Sequence, residues 1–323
     1  MEKTFPRQEF YVHTTDNPID STMVGALNDR DFVIDNEFRE YAERKWDKDN
    51  KGWTSSPIPT TLEVESSPGK FLLHCSTTSY KYLLGMVKLA SETGKSNASP
   101  TIIHGLSTEI MPITSDEMIL FSRRDEGATQ HGAGFYDIPT AGQNANMWLV
   151  KAQEAHPNLV KGMFDMDGFP RWNLVRHLGI NPDEIGNMIY TGFSRGFEVS
   201  LDSQFNGYTQ LGISAKELLS RMGEKSRDIL VYSLNEIDEV LSTIGNDNSR
   251  GMRVKPDIFG NTPKPSPQTG GFVIVDDCLG TLLSNSKHFF GEKAYKSAKV
   301  VLEQRGYKVN EVPSGNIKLD SLI

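Results

Sequence analysis

Met118-Ile119-Leu120-Phe121-Ser122-Arg123-Arg124, followed after a glycine-rich loop by Gly134-Phe135-Tyr136-Asp137-Ile138-Pro139-Thr140-Ala141-Gly142, is the stretch on which the fold turns. Four consecutive apolar residues between polar ones read as a strand buried on both faces, the pattern of a sheet covered on both sides. Ser115-Asp116-Glu117 just before it is a turn. Thr101-Ile102-Ile103-His104-Gly105 and Glu109-Ile110-Met111-Pro112-Ile113 before that are extended. Neighbouring side chains on a strand point to opposite faces, so only one of Arg123 and Arg124 can face a given pocket. An arginine fork matches phosphate bidentately, and it suits a structural ion pair equally well. The loop from Gly127 to Gly134 carries His131 and Gly132. Its glycines let backbone approach a ligand closely, or serve only to make turns.

Downstream, the pattern predicts helices over 144–156 and 168–178. Strands follow near Met188–Thr191, Tyr208–Ile213 and Ile229–Leu234, then a helix over 235–244. Upstream, Phe10-Tyr11-Val12 reads as a strand. Residues 34–48 read as a helix with Asp35 as N-cap and Phe38, Tyr41 and Trp46 on its apolar side. Thr61-Leu62-Glu63-Val64 and Phe71-Leu72-Leu73-His74-Cys75 are strands separated by a Pro68-Gly69 turn, and 79–89 is a helix. Gly245 to Gly271 is rich in Asn, Pro and Gly and reads as flexible. Lys264-Pro265-Ser266-Pro267 within it fits neither a helix nor a central strand. Phe272-Val273-Ile274-Val275 is a strand, 292–305 a helix closed by Gly306, and 307–309 a returning strand. The chain thus divides into an N-terminal α+β extension (1–99), a central α/β domain (100–245), a linker (246–271) and a C-terminal β-α-β segment (272–323) suited to packing on the central domain.

With 37% hydrophobic and 24% charged residues among 323, the chain has enough apolar surface for a core, which argues against global disorder. A net charge of −8 argues against coating nucleic acid, while leaving room for a local basic pocket that takes a small phosphorylated ligand. The two cysteines, Cys75 and Cys278, form no CxxC pair, so neither a disulfide framework nor a structural zinc site is expected. They read as buried thiols in a reducing compartment. No apolar run reaches the ~20 residues that span a bilayer, and the first residues offer no apolar stretch of signal-peptide length. The expectation is a cytoplasmic protein with no membrane partner. A homodimer is compatible with the sequence.

Taken together, the strand ending in Arg123-Arg124, the glycine-rich loop and Gly134 to Gly142 resemble the approach to the Nudix box, where a "G-x-x-D-x-P-x-G"-like strand opens the motif. Trp172-Asn173-Leu174-Val175-Arg176-His177-Leu178-Gly179-Ile180 is similar to the end of that box. Asn181-Pro182-Asp183-Glu184-Ile185 and the strand to Gly192 continue the similarity. Phe71 to Met86 is similar to the leader of the UDP-glucose diphosphatase branch. The resemblance covers about residues 70–245 in outline and is concentrated in 105–142 and 172–192. It implies a Nudix-like α/β/α sandwich with a mixed sheet. It also implies binding, and in active members hydrolysis, of a nucleoside diphosphate linked to another moiety, with Mg2+ or Mn2+ as cofactor.

The departures concern the chemistry. Gly142 and Trp172 stand thirty positions apart, about sixteen more than the family spacing. Where the family has glutamates this chain has Asn173, Arg176 and His177, and Trp172 stands in the arginine's place. Glutamates one helical turn or less apart aim carboxylates at a common point and hold a hard cation. An arginine there would attract an anion instead, and His177 suits softer metals. The ligand-binding candidates are therefore Arg123, Arg124, His131, Gly142, Arg176 and His177. The alternative to hydrolysis is a non-catalytic nucleotide-sensing or protein-interaction module.

Glu154, Asp165 and Asp167 lie in the extra residues and are candidates for a replacement metal site. Asp165-Met166-Asp167-Gly168 has D-x-D-G spacing without the rest of a calcium loop, and it also suits the start of the next helix. Asp183 and Glu184 read as the start of a turn. Asp276-Asp277-Cys278, at the end of a strand, reads as an N-cap. No P-loop, G-x-S-x-G, H-E-x-x-H or Rossmann glycine triad is present in the sequence.

Overall fold

The apolar run at Met118–Phe121 is a strand whose side chains enter two different cores alternately. Met118 and Leu120 pack into one hydrophobic cluster, Ile119 and Phe121 into another. The computed structural model describes residues 8–49, 55, 57–93, 101–124, 134–143, 165–196, 203–242, 251–254, 263–265, 272–275, 278–304 and 306–322.

The chain opens with β1 (Gln8–Asp20) and β2 (Val24–Asn28). α1 (Asn36–Asp49) follows, and Asp35 caps it as predicted, its Oδ1 accepting the Phe38 N–H at 3.0 Å. β3 (Pro57–Ser67) and β4 (Lys70–Ser79) form a hairpin through Gly69, whose φ of 76° suits glycine. α2 (Tyr80–Thr93) packs against α1 through Phe38, Ala42, Leu83 and Met86. The next strands are β5 (Leu106–Ile113), β6 (Met118–Arg123), β7 (Tyr136–Asp137) and β8 (Gly142–Gln143). α3 (Gly168–Leu178) ends at Gly179, left-handed at φ 66°, whose N–H bonds the Val175 carbonyl. β9 (Ile185–Gly196) and β10 (Ser203–Leu211) lead to α4 (Ala215–Met222), β11 (Ile229–Ser233) and α5 (Ile237–Ser242). The chain closes with β12 (Gly251–Val254), β13 (Phe272–Val275), α6 (Leu279–Gln304), β14 (Tyr307–Glu311) and β15 (Gly315–Lys318).

Among the described residues, eleven strands form one mixed sheet along the order β12-β13-β7-β6-β5-β10-β9-β1-β14, with β11 on β6 and β8 on β5. A smaller sheet runs β15-β3-β4-β2. The large sheet draws strands from the N-terminal, central and C-terminal regions alike. β1 pairs with β9 and β14, and β13 pairs with β7. Helices cover both its faces. Leu174 and Leu178 of α3 and Leu218 of α4 join Ile110, Leu120 and Val231 on one side. Leu279, Leu282, Leu283 and Leu302 of α6 join Met111, Phe121 and Leu230 on the other. This mixed α/β architecture agrees with the sequence-based expectation.

Several elements differ from the pattern-based reading, among them the strand Val24–Asn28 and the helix Ala215–Met222, where none was expected. Gly251–Val254, within the stretch expected to be flexible, is a strand paired antiparallel with β13. Four residues containing a glycine and an arginine carry too little periodicity to announce it. Gly315–Lys318 forms β15 on β3, although only a strand at 307–309 was expected beyond the last helix. The last helix was expected from Glu292 but begins at Leu279, with a break at Gly291, φ 82°. Its first turns bury Gly280, Thr281, Ser284, Asn285 and Ser286 beside leucines. A helix buried nearly all round shows no amphipathic stripe to read. Among the described residues no helix is long and apolar enough to cross a membrane.

The C-terminal tail is fastened through a buried histidine. His104, fully buried before β5, places Nε2 2.7 Å from Asp320 Oδ1. Nδ1 meets a guanidinium nitrogen of buried Arg195 and so acts as acceptor, leaving Nε2–H to donate to Asp320. Burial lowers the His104 pKa from its ordinary 6.5 to about 4, against the hydrogen bond to Asp320 and with the help of Arg195. The unfolded chain therefore takes up this proton near pH 6.5 and the folded chain only near 4. The stabilisation is complete above pH 6.5, declines as pH falls and is gone below about 4. It amounts to about 3 kcal/mol. Urea midpoints measured from pH 7 to 4 should fall more steeply for the wild type than for His104→Gln. Parallel profiles would show that His104 is not the titrating group.

Candidate functional site

Alternation along β5 puts Glu109 on the same side as Met111 and Ile113, the face that α6 covers. Glu109 is completely buried there. β7 runs parallel to β13 with Ile274 opposite Tyr136, which sets the end of β13 beside Asp137. Cys278, itself fully buried, stands just before α6. Gly280 permits this approach, since a Cβ there would stand 1.9 Å from Ser194 Oγ. The result is a cluster in which donor atoms of Glu109, Asp137 and Cys278 all lie within 4.8 Å of one another.

The hydrogen bonds define the cluster further. Asp137 Oδ2 accepts from Arg124 Nε at 2.8 Å, and a second guanidinium nitrogen lies 2.6 Å from the same oxygen. Asp137 Oδ1 accepts the Ile138 N–H at 2.8 Å and the Cys278 thiol at 3.1 Å. Burial first, and then the Glu109 and Asp137 carboxylates, push the Cys278 pKa well above its usual range, so the thiol keeps its proton. Thr281 Oγ1 lies 2.5 Å from Glu109 Oε2 and 2.9 Å from Asn206 Oδ1. A hydroxyl has one hydrogen to donate and here faces two acceptors. Carboxylates and a thiol in this arrangement can ligate a divalent cation.

The box-like helix lies on the other face of the sheet. Asn173 of α3 is buried and donates from Nδ2 to the Thr140 carbonyl at 3.1 Å, while Thr140 Oγ1 donates to the Ile110 carbonyl. Arg176 and His177 are exposed. The Arg176 guanidinium sits 5.0 Å from the ring centroid of Trp172, itself 39% exposed, a cation–π geometry. No α3 residue at a box position supplies a carboxylate, so these residues do not fit the Mg2+ or Mn2+ that the resemblance implies.

The other candidates are placed as follows. Arg123 and Arg124 diverge, as adjacent strand residues must: Arg123 faces Asp228 at 3.8 Å and the Pro265 carbonyl, and Arg124 holds Asp137. Gly142 opens β8 opposite Thr108. Asp165 Oδ1 accepts the N–H groups of Asp167 and Gly168, and Asp167 pairs with Arg171, so both acids are engaged at the start of α3. His131 and Glu154, like Asp276 and Asp277, lie outside the described residues. Asp183 and Glu184 belong to the short turn Pro182–Glu184, where Glu184 closes a capping box with Asn181. Sequence reasoning noticed Cys278 and the aspartate of the Gly134–Gly142 stretch but did not join them to Glu109. A lone acidic residue in an apolar strand was the available signal.

No protein-family model matches the chain, and no curated protein matches it.

Proposed function

We propose that this chain binds a nucleoside diphosphate linked to another group on a Nudix-like scaffold, without the helix-borne magnesium chemistry of that family. The observation that carries the reading is the exposed surface of α3. Trp172 and Arg176 are in contact there, His177 is exposed on the same helix, and Asn173 is buried as a tether. The part-exposed indole holds the guanidinium in place, and the arginine offers paired donors to a phosphate. The substitutions that remove a cation site thereby create an anion site.

The test is a thermal-shift and calorimetric screen of the full chain against nucleotide sugars, dinucleotides and nucleoside triphosphates. It is run in chelator and again with Mg2+ or Mn2+. At least one ligand class should bind in chelator, Arg176→Glu should abolish that binding, and chromatography should show intact ligand. If nothing binds, or if Arg176→Glu binds as well as wild type, the reading is wrong. Cleaved ligand in the Mg2+ or Mn2+ arm would replace it with the hydrolase reading.

A further inference from the structure

We propose that Glu109, Asp137 and Cys278 form a binding site for a thiophilic divalent cation of the zinc class. The proposal does not depend on ligand binding at α3, which lies on the opposite face of the sheet.

Three observations support it. The donor atoms come from three separate parts of the fold, β5, β7 and the start of α6, yet lie within 4.8 Å of one another. Ligand atoms around a tetrahedral zinc stand roughly 3.5 Å apart, so the ion needs rotation of side chains rather than movement of strands or helix. All three residues are buried, which selects for groups that are paired or coordinated. One hydroxyl proton serves two acceptors at the cluster, since Thr281 Oγ1 faces both Glu109 Oε2 and Asn206 Oδ1. A cation relieves an excess of acceptors.

The donor set also chooses among cations. Magnesium takes oxygen ligands in a near-ideal octahedron and keeps several waters, for which a buried thiol is a poor partner. Two carboxylate oxygens and a thiolate suit zinc, and three protein ligands leave a fourth position open. The Cys278 thiol now donates to Asp137 Oδ1. On coordination the sulfur–hydrogen bond breaks, the sulfur keeps the electron pair and forms the bond to the metal, and the proton leaves to solvent. Arg124, on the far oxygen of Asp137, stays in place and orients that carboxylate.

The experiment uses the full chain freed of metal by chelation, with no nucleotide present. Zn2+ is titrated by calorimetry and Co2+ by absorption. One equivalent should bind, Co2+ should develop a thiolate-to-metal charge-transfer band, and excess Zn2+ should raise the unfolding temperature. Cys278→Ser should lose the band and bind Zn2+ roughly 100-fold more weakly, given that even outer partners of a metal site are worth about 10–100-fold. Cys75→Ser should keep both. If Cys278→Ser does not fold, Glu109→Gln decides: it should keep the charge-transfer band while losing affinity to a similar degree. The proposal fails if the wild type shows no saturable binding, if the band survives in Cys278→Ser, if Glu109→Gln binds as tightly as wild type, or if Mg2+ at equal concentration displaces Zn2+.

Discussion

Gly280→Ala is expected to destabilise the protein by about 3 kcal/mol or more, beyond the usual 1–3 kcal/mol of an overpacked core. An ideal Cβ at Gly280 stands 1.9 Å from Ser194 Oγ and 2.3 Å from Ser194 Cβ. Neither neighbour can swing away cheaply. Ser194 is buried in β9, and its hydroxyl lies 3.3 Å from Asn206 Oδ1. The start of α6 must therefore back off the sheet, carrying Cys278 and Thr281 away from Asp137 and Glu109. The same displacement should weaken any metal binding at the cluster. Removing the obstacle gives the control: Ser194→Gly in the Gly280→Ala background should recover at least about 1 kcal/mol, since contacting residues are not additive. Chemical denaturation of the four members of that cycle measures it. A single variant as stable as wild type would mean that the helix does not approach the sheet at Gly280 as described.

The second large effect is expected at Arg124. Asp137 is 6% exposed and takes two contacts from this guanidinium on one oxygen. Breaking a buried pair from one side leaves a charge without a counterion and costs about 3–5 kcal/mol. Arg124→Met keeps the apolar stem and removes the charge. The expected loss is near the lower end, about 3 kcal/mol, because the arginine side chain is itself 23% exposed. Asp137→Asn should cost less, since its carbonyl still accepts from Ile138 and Cys278 and the released Arg124 reaches solvent. Combining the two changes should recover part of the Arg124→Met loss. Urea unfolding of the three variants at neutral pH is the measurement. A loss below about 1 kcal/mol for Arg124→Met would show that the Arg124–Asp137 pair contributes little to stability.

Much of the secondary structure was legible because its signals are local. Asp35 caps α1, Gly69 turns a hairpin, Gly179 closes α3, and the apolar run at Met118–Phe121 is buried on both faces. β12 and the first half of α6 were not legible. The strand is too short to show a period, and the helix is buried nearly all round, so no polar stripe marks it. The α3 surface was readable as a change of charge, because Asn173, Arg176 and His177 are neighbours along one helix. Their geometry was not, since only packing decides that Asn173 turns inward to Thr140 while Arg176 lies on Trp172.

The acid–thiol cluster marks the limit most clearly. Cys278 had no CxxC companion, and that spacing argued against zinc. Spacing rules detect ligands on one turn or loop, and here the ligands sit at positions 109, 137 and 278. Local chemistry, read from the sequence, determined the mixed α/β class, most caps and turns, and the absence of glutamates from α3. Tertiary structure alone decided that Arg124 neutralises Asp137, that the box-like helix and the cluster occupy opposite faces of one sheet, and that Glu109 meets Cys278. The reason is physical: parallel pairing of β13 with β7 and the absence of a Cβ at Gly280 set those distances, and neither is encoded within any one segment.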